Sequence, residues 1–378
     1  MIETSLLYLV SLLVLVALVV GVEKLTQHRV FKYLPAVVII YALAMVLAQS
    51  GFWAENETVY ANYKAVKTVL LPAMLFVMLL QIDFSAFVKL GRSLLIAYFS
   101  AVVSLAFAFV TVFWFFSLDA DAAGVFATLA GSWTGGTANM LAVAGALNVN
   151  EELMGYALIV DSIDYTLWVM SLLFLVGFAP LFNRWTKAQG TLMDLEDKLE
   201  VKQVSINYGV LGALFLFSLG IAYFANTLAS FLGGLSQTTW SVLLATLFGL
   251  IGSRTMLKSL AGSSLLASAM LMFLIALIGS QAHLSGFSAV PLYLLVGLLI
   301  LLLHALIMVV VAKVFKLDLF SIGVASLANI GGVASAPILA AAYHRSLIGV
   351  AVLMAIMGYM IGTFAGLAIG YVLQEIAR

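Results

Sequence analysis

Gly131-Ser132-Trp133-Thr134-Gly135-Gly136-Thr137-Ala138-Asn139-Met140-Leu141 and Leu327-Ala328-Asn329-Ile330-Gly331-Gly332-Val333-Ala334-Ser335-Ala336-Pro337 occupy matching places in the two halves of a 378-residue chain. Each is an apolar stretch broken by a Gly-Gly pair, and the pairs stand 196 residues apart (331 against 135). Glycine loosens a helix, and unwound backbone survives in a bilayer only where it is buried in protein or lines a watery cavity. Interruptions at corresponding points of two halves point to the binding site of a transporter. The two stretches therefore predict solute transport.

Composition sets the frame. With 64% hydrophobic and 9% charged residues and a mean hydropathy of +1.17, the chain falls far outside the range of soluble globules. It reads as a polytopic membrane protein. Its net charge of zero carries little, because in a membrane the placement of charges matters more than their sum. Nothing supports nucleic-acid binding. The absence of cysteine excludes disulfides, thiolate catalysis and zinc-thiolate sites. The first apolar run, Leu6 to Val22, has no basic stretch before it and no small-residue cleavage site after it, so it reads as a helix and not a cleaved signal.

Windows of about 20 apolar residues place spans at 6–22, 34–49, 65–88, 92–117, 153–182, 207–232, 238–253, 262–282, 289–314 and 346–373. Two segments remain, 122–147 and 319–342. Either can cross once as a broken helix or dip in and return as two short arms. Positive charges choose between these readings, since cytoplasmic loops collect Lys and Arg. With both segments re-entrant, one side gathers Lys24, Arg29, Lys32, Lys89, Arg92, Arg184, Lys187, Lys198, Lys202, Arg254, Lys258, Lys313, Lys316 and Arg345, which is 14 of the 17. With both crossing, the division is 6 against 11 and follows no rule. Acidic residues flank the first hairpin (Asp119, Asp121, Glu151, Glu152), so it enters from outside. Basic residues and His344 flank the second, which enters from the cytoplasm.

The expected fold is thus all-α: ten transmembrane helices plus two opposed re-entrant Gly-Gly hairpins. Residues 1–182 form a first repeat with hairpin 122–147, 183–206 a charged cytoplasmic linker, and 207–378 a second repeat with hairpin 319–342. Five crossings per half, an odd number, invert the second repeat on the first. The stretch from Leu80 to Phe87 resembles that from Ser280 to Phe287, with Gln81 matching Gln281.

Within span 153–182, Asp161 and Asp164 are three residues apart and share a helix face. Acids at such depth are costly unless paired or wet, which makes them functional candidates. With Ser162, Thr166 and nearby carbonyls they offer hard oxygens to a sodium ion or a site for a proton. The tips carry Ser132, Thr134, Gly135, Gly136, Thr137 and Asn139 in one half, and Asn329, Gly331, Gly332 and Ser335 in the other. Helix ends at such tips present amides to anions and carbonyls to cations. Arg345 reads as a positive-inside anchor or, alternatively, as a partner for a substrate carboxylate; Asp83 reads equally as paired or hydrated or as functional, and His304 as a hydrogen-bonded packing residue. Gly358, Gly362, Gly366 and Gly370 form a stripe that lets another helix approach closely, in the same chain or in a second protomer. Trp53, Trp114, Trp185 and Trp240 read as interfacial anchors.

The tip signatures Thr134-Gly135-Gly136-Thr137-Ala138-Asn139 and Asn329-Ile330-Gly331-Gly332-Val333-Ala334-Ser335, with the Asp161 to Asp164 run and the span pattern, resemble the YjcL-like family of bacterial and plastid membrane proteins. That family is placed in a superfamily with glutamate:sodium and bile-acid:sodium symporters and cation/proton antiporters. The resemblance implies an elevator-type transporter, in which a hairpin-bearing core slides against a dimerising scaffold. It makes Gly135, Gly136, Gly331 and Gly332 the tip glycines. Thr137 and Val333 after the glycines depart from the glutamate symporters' tips, so it does not imply glutamate. Acids on the helix after the first interruption resemble the ion-binding acids of the antiporters.

The sequence therefore leads to a sodium- or proton-coupled symporter of a small organic solute bearing a carboxylate. The alternative is a cation/proton antiporter using Asp161 and Asp164. An aspartyl protease needs its two acids on different helices, and these share one, so no enzyme is expected. No cofactor is expected beyond the coupling ion, sodium at Asp161 and Asp164 or a proton. The expected partners are the solute, the lipid bilayer and a second copy of the chain as a homodimer. The expected location is the bacterial cytoplasmic membrane with both termini outside.

Overall fold

The computed structural model describes residues 2–26, 35–82, 90–188, 206–260, 262–282, 288–344 and 347–378. Among these, helices account for nearly all regular structure. They are α1 (Ser5–Thr26), α2 (Ala36–Gln49), α3 (Glu57–Leu79), α4 (Gly91–Phe116), α5 (Ala120–Gly135), α6 (Thr137–Ala146), α7 (Glu151–Leu175), α8 (Ala179–Thr186), α9 (Tyr208–Ala229), α10 (Gln237–Gly252), α11 (Ser263–Gly279), α12 (Val290–Phe315), α13 (Leu319–Ile330), α14 (Gly332–Tyr343) and α15 (Ile348–Ile376). Polar side chains start several of them by accepting orphan amides: Asn56 takes Val59 N, Asn207 takes Gly209 N and Val210 N, and Ser236 takes Thr239 N.

Seven of the described helices are long and apolar enough to cross a membrane: α1, α3, α4, α7 with its continuation through α8, α9, α12 and α15. Three other expected spans coincide with α2, α10 and α11, of 14, 16 and 17 residues. At about 1.5 Å per residue these fall short of a hydrocarbon core of roughly 30 Å.

The chain packs into two compact units, and neither coincides with one half of the sequence. The first unit takes residues 1–80, 145–162 and 206–290, hence α1 to α3 from the first half and α9 to α11 from the second. The second takes 81–144, 163–205 and 291–378, hence α4 to α6 from the first half and α12 to α15 from the second. Each unit draws matching elements from both halves.

Packing inside the first unit repeats the same exchange. Helix α1 packs on α2, α3 and α11, and α9 packs on α10, α11 and α3; α2 packs on α11 as α10 does on α3. Exchanging the halves leaves this set of pairs unchanged. Glycines set the closeness of the matching crossings: a Cβ on Gly279 would lie 2.7 Å from Tyr41 O, and one on Gly249 would lie 2.7 Å from Leu79 Cβ. Polar ties join two further matched pairs, Tyr8 Oη to Ser280 Oγ at 2.6 Å and Asn226 Nδ2 to Thr68 O at 3.0 Å. The start of α7 is fastened here by Glu151, which meets Lys67 Nζ at 2.8 Å and accepts from Tyr63 Oη.

Trp53 departs from its expected role as an interfacial anchor. It is 3% exposed, stands edge-on to Tyr8 and Phe52, and donates to Ser11 Oγ at 2.7 Å. Ile2 bridges the loop on either side of it, donating to Phe52 O and accepting from Ala54 N. Trp114 and Trp185 are the exposed ones, with Lys313 Nζ 4.5 Å over the Trp185 ring.

Candidate functional site: two hairpin tips and the helix that meets them

The two interrupted segments up to residue 144 and from 319, the part of α7 from Ile163 onward, and α15 belong to the second unit. Its two interrupted segments begin alike. Phe116-Ser117-Leu118-Asp119 and Phe315-Lys316-Leu317-Asp318 lead into α5 and α13. In both, the second residue is left-handed (Ser117 φ 49°, Lys316 φ 55°) and ends the preceding helix. In both, the aspartate caps the next helix, Asp119 Oδ1 accepting Ala122 N at 2.9 Å and Asp318 Oδ1 accepting Ser321 N at 2.6 Å. This Phe-x-Leu-Asp match between the two halves is one that the span reading passed over. Laying one half on the other would have found it. Past the caps, every residue of α5 from Ala122 to Gly135 and every residue of α13 is buried, as helices apolar on all sides must be.

Each segment then folds back on itself. A Cβ on Gly131 would lie 2.8 Å from Asn139 O and 2.9 Å from Val143 Cγ2. A continuous helix would hold residues 131 and 143 about 18 Å apart, so α5 and α6 run side by side. Helix α13 packs on α14 in the same way, with Gly323 against Leu339. The reversals fall at the Gly-Gly pairs, where Gly136 takes φ 83° and Gly332 φ 59°, conformations that cost little only for glycine.

The first tip is fastened to α15. Gly131 and Gly135 of α5 meet Gly358, Gly362 and Gly366, and a Cβ on Gly135 would lie 2.5 Å from Gly358 O and 2.8 Å from Gly362 Cα. The partner of the glycine stripe is therefore α5 of the same chain. Asn139 sits in this seam, 0% exposed. Its Nδ2 donates to Gly135 O at 2.6 Å and Gly358 O at 3.4 Å, and its Oδ1 accepts from Thr363 Oγ1 at 2.6 Å. Thr134 Oγ1 donates to Ala130 O and reaches Gly362 O. The buried polar groups of Thr134 and Asn139 are committed within the protein, while Gly136 and Thr137 stay half-buried at the turn.

The second tip is different. Asn329 is 0% and Ser335 1% exposed. Asn329 Nδ2 donates to Ala325 O at 2.8 Å, yet Asn329 Oδ1 and Ser335 Oγ have no hydrogen-bond partner among the described residues. Gly331 is crowded by Ser335 Oγ and by the Tyr165 ring of α7. Helix α15 touches both tips at Gly358, whose Cβ would stand 3.3 Å from Gly135 Cα and 3.6 Å from Ala328 O.

Asp164 lies one residue before Tyr165 and is 0% exposed; Ser162 is 5% exposed and Asp161 half-buried. The division between the units runs along α7, placing Asp161 and Ser162 in the first and Asp164 in the second. Beyond them, Trp168 Nε1 donates to Ser326 Oγ at 3.0 Å, Ser326 Oγ lies 2.8 Å from His304 Nε2, and His304 Nδ1 lies 2.7 Å from Ser104 Oγ, which donates to Ala101 O. A neutral imidazole protonated on Nδ1 satisfies each link in turn. His304 thus ties α4 and α12 to α13. Arg345 and Asp83 lie outside the described residues.

A search of curated proteins finds no match to the chain. A family model described as a protein of unknown function, DUF819, matches residues 10–376, nearly the whole length and both fold-back segments, and the chain belongs to that family.

Proposed function

We propose that the chain is a secondary active transporter that carries a small organic solute bearing a carboxylate, in symport with sodium or protons, by an elevator mechanism. The observation that carries this reading is the pair of fold-back segments whose tips both touch α15 at Gly358. In the reading, α5 with α6 and α13 with α14 are re-entrant hairpins entering from opposite sides, as the 14-of-17 charge count favours. The helices at the ten expected positions are ten spans, with α2, α10 and α11 as short ones. Residues 1–182 and 207–378 are inverted five-span repeats; the exchange symmetry of packing in the first unit supports this. The hairpin-bearing unit is the transport core, and the other is a scaffold that dimerises. The tip residues Thr134, Gly135, Gly136, Thr137, Asn139, Asn329, Gly331, Gly332 and Ser335 form the solute site, while Asp161, Ser162 and Asp164 couple the ion. The YjcL-like resemblance and its superfamily lead to the same place, a bacterial cytoplasmic membrane with both termini outside.

A cation/proton antiporter is the second reading, favoured by the complete burial of Asp164, since an acid at such depth suits exchange of a proton for a metal ion. Proteoliposomes separate the two. A panel of labelled organic acids, amino acids and peptides, chosen by thermal-shift screening, is offered with an inward sodium or proton gradient. Gradient-driven accumulation of one class supports symport. Sodium-driven proton movement without any organic solute supports antiport, and neither activity in correctly inserted protein refutes both.

A further inference from the structure

Asn329 Oδ1 and Ser335 Oγ flank the break between α13 and α14, buried and without a donor among the described residues. A buried polar atom left unsatisfied keeps its full desolvation penalty, so two at one turn ask for a ligand. Other orphaned oxygens occur in the unit, at Tyr98 and Thr128 within regular helices and at Asp318 Oδ2 and Ser321 Oγ where α13 begins, Asp318 already capping that helix through Oδ1. Among the described residues, Asn329 and Ser335 are the pair that brackets the Gly331-Gly332 break.

Their chemistry is restricted. The bond from Asn329 Nδ2 to Ala325 O fixes the amide, because turning it over would set Oδ1 against a carbonyl. The tip therefore offers the amide oxygen, while one of the two Nδ2 hydrogens is spent on Ala325 O. Ser335 Oγ leans across Gly331, 2.0 Å from where a Cβ would stand. Helix α13 ends at Ile330, and its last carbonyls carry the negative end of the helix dipole. Tyr165 brings α7 alongside, one residue past the buried carboxylate of Asp164. Hard oxygens dominate the tip, which suits a small hard cation.

We propose that the second hairpin tip binds a monovalent metal cation, sodium foremost, through Asn329 Oδ1, Ser335 Oγ and the terminal carbonyls of α13. Neutral ligands match a single positive charge. No group of three or more His, Asp or Glu among the described residues could hold a metal ion, which disfavours a divalent or transition metal. The assignment rests on the transport reading only in making this cation the coupling ion; binding itself stands on the orphaned oxygens. It moves Asn329 and Ser335 from the solute to the ion. The first tip cannot do the same, because Asn139 has spent its donors and its oxygen on Gly135, Gly358 and Thr363.

The test uses the purified full chain in detergent, melted in sodium chloride and in choline chloride of equal ionic strength. Wild type should gain thermal stability that saturates with sodium. Ser335→Ala and Asn329→Leu should melt in choline at or above wild type, since each removes an unsatisfied buried oxygen, yet their apparent sodium affinity should fall at least about tenfold. A structural role would lower both variants equally in the two salts, which overturns the proposal. So does a wild type indifferent to sodium, or one stabilised only by an organic amine or acid. Sodium stabilisation kept by both variants but lost in Asp161→Asn or Asp164→Asn places the cation elsewhere and also overturns it. Sodium binding that behaves as described in a protein showing no solute uptake leaves this site standing while refuting the symport reading.

Discussion

Gly135→Ala tests the seam between α5 and α15 with one methyl group. Its Cβ would enter 2.2 Å from Asn139 Nδ2, 2.5 Å from Gly358 O and 2.8 Å from Gly362 Cα. The amide of Asn139 could swing away, but the other two atoms are backbone. Restoring ordinary contact, near 3.4 Å, requires the helices to part by about 1 Å, in an interior packed as densely as a crystal. That opens the hydrogen bonds of Asn139 to Gly358 and Thr363. Overpacking and the lost bonds together should cost about 3 to 5 kcal/mol.

The matched control is Gly220→Ala on α9, exposed and with nothing within 4 Å of its Cβ, where alanine should be neutral or gain about 0.5–1 kcal/mol. Both variants are purified in detergent and heated, and the fraction remaining monodisperse is followed by size-exclusion chromatography. Gly135→Ala should lose this state well below wild type, and Gly220→Ala at or above it. Adding Asn139→Ala should not rescue Gly135→Ala, because Gly358 O and Gly362 Cα still obstruct. If Gly135→Ala survives heating as wild type does, the helices are not in contact through glycine, and the close seam on which the site rests is wrong.

Four further outcomes are expected. Single cysteines in this cysteine-free chain should react with an impermeant thiol reagent from outside at Glu152 and only from inside at Lys198 and His344; external labelling at Lys198 would overturn the topology. With the ion coupled at Asp161 and Asp164, as the transport reading has it, Asp161→Asn and Asp164→Asn should abolish coupled transport while insertion and yield hold; normal transport with unchanged ion dependence in both would leave the second tip as the coupling site. His304→Phe should cost about 2 to 3 kcal/mol by stranding Ser104 and Ser326, and Ser104→Ala added to it should cost little more; full additivity in a double-mutant cycle would show that the chain of bonds is not a unit. Gly136→Val and Gly332→Val, both forced into positive φ, should abolish solute binding in inserted protein, and wild-type affinity in both would make the tips mere turns.

What could be read from the sequence follows what a bilayer imposes. Apolar runs announce helices, so a described helix overlaps each of the ten expected windows, although α3 runs 57–79 against an expected 65–88 and α2, α10 and α11 are short. Gly135-Gly136 and Gly331-Gly332 mark the breaks because few other residues reverse a buried helix cheaply. The partner of the Gly358 to Gly370 stripe was not legible, since small residues announce a close approach but not to what. Trp53 reads like Trp114 in sequence; only Tyr8, some 45 residues away, and Phe52 decide that it is enclosed. The span windows also gave α7 a single identity, whereas its first half is gripped by Lys67 and Tyr63 and its second by Ser326. Such contacts are set by tertiary packing and leave no local trace.

The two tips show why the site itself was only half legible. Laying Gly135 on Gly331 pairs Asn139 with Ser335 and Trp133 with Asn329. The sequence thus presents an amide and a hydroxyl at both ends, and by composition the tips look equivalent. What separates them is one donor: Thr363 of α15 reaches Asn139, while no described residue reaches Ser335. A two-fold related pair of hairpins would offer two equal sites and no reason for either to respond differently to a ligand. Here the first hairpin is bonded and glycine-packed onto α15, so its polar groups hold structure. The second keeps a turn with Gly332 in positive φ and two oxygens unspent, so a ligand there changes the balance of satisfied bonds, which is what a ligand must do to shift a conformational equilibrium. On the proposed cation site, it is the difference between the two similar segments, and not their likeness, that gives binding energy a place to act.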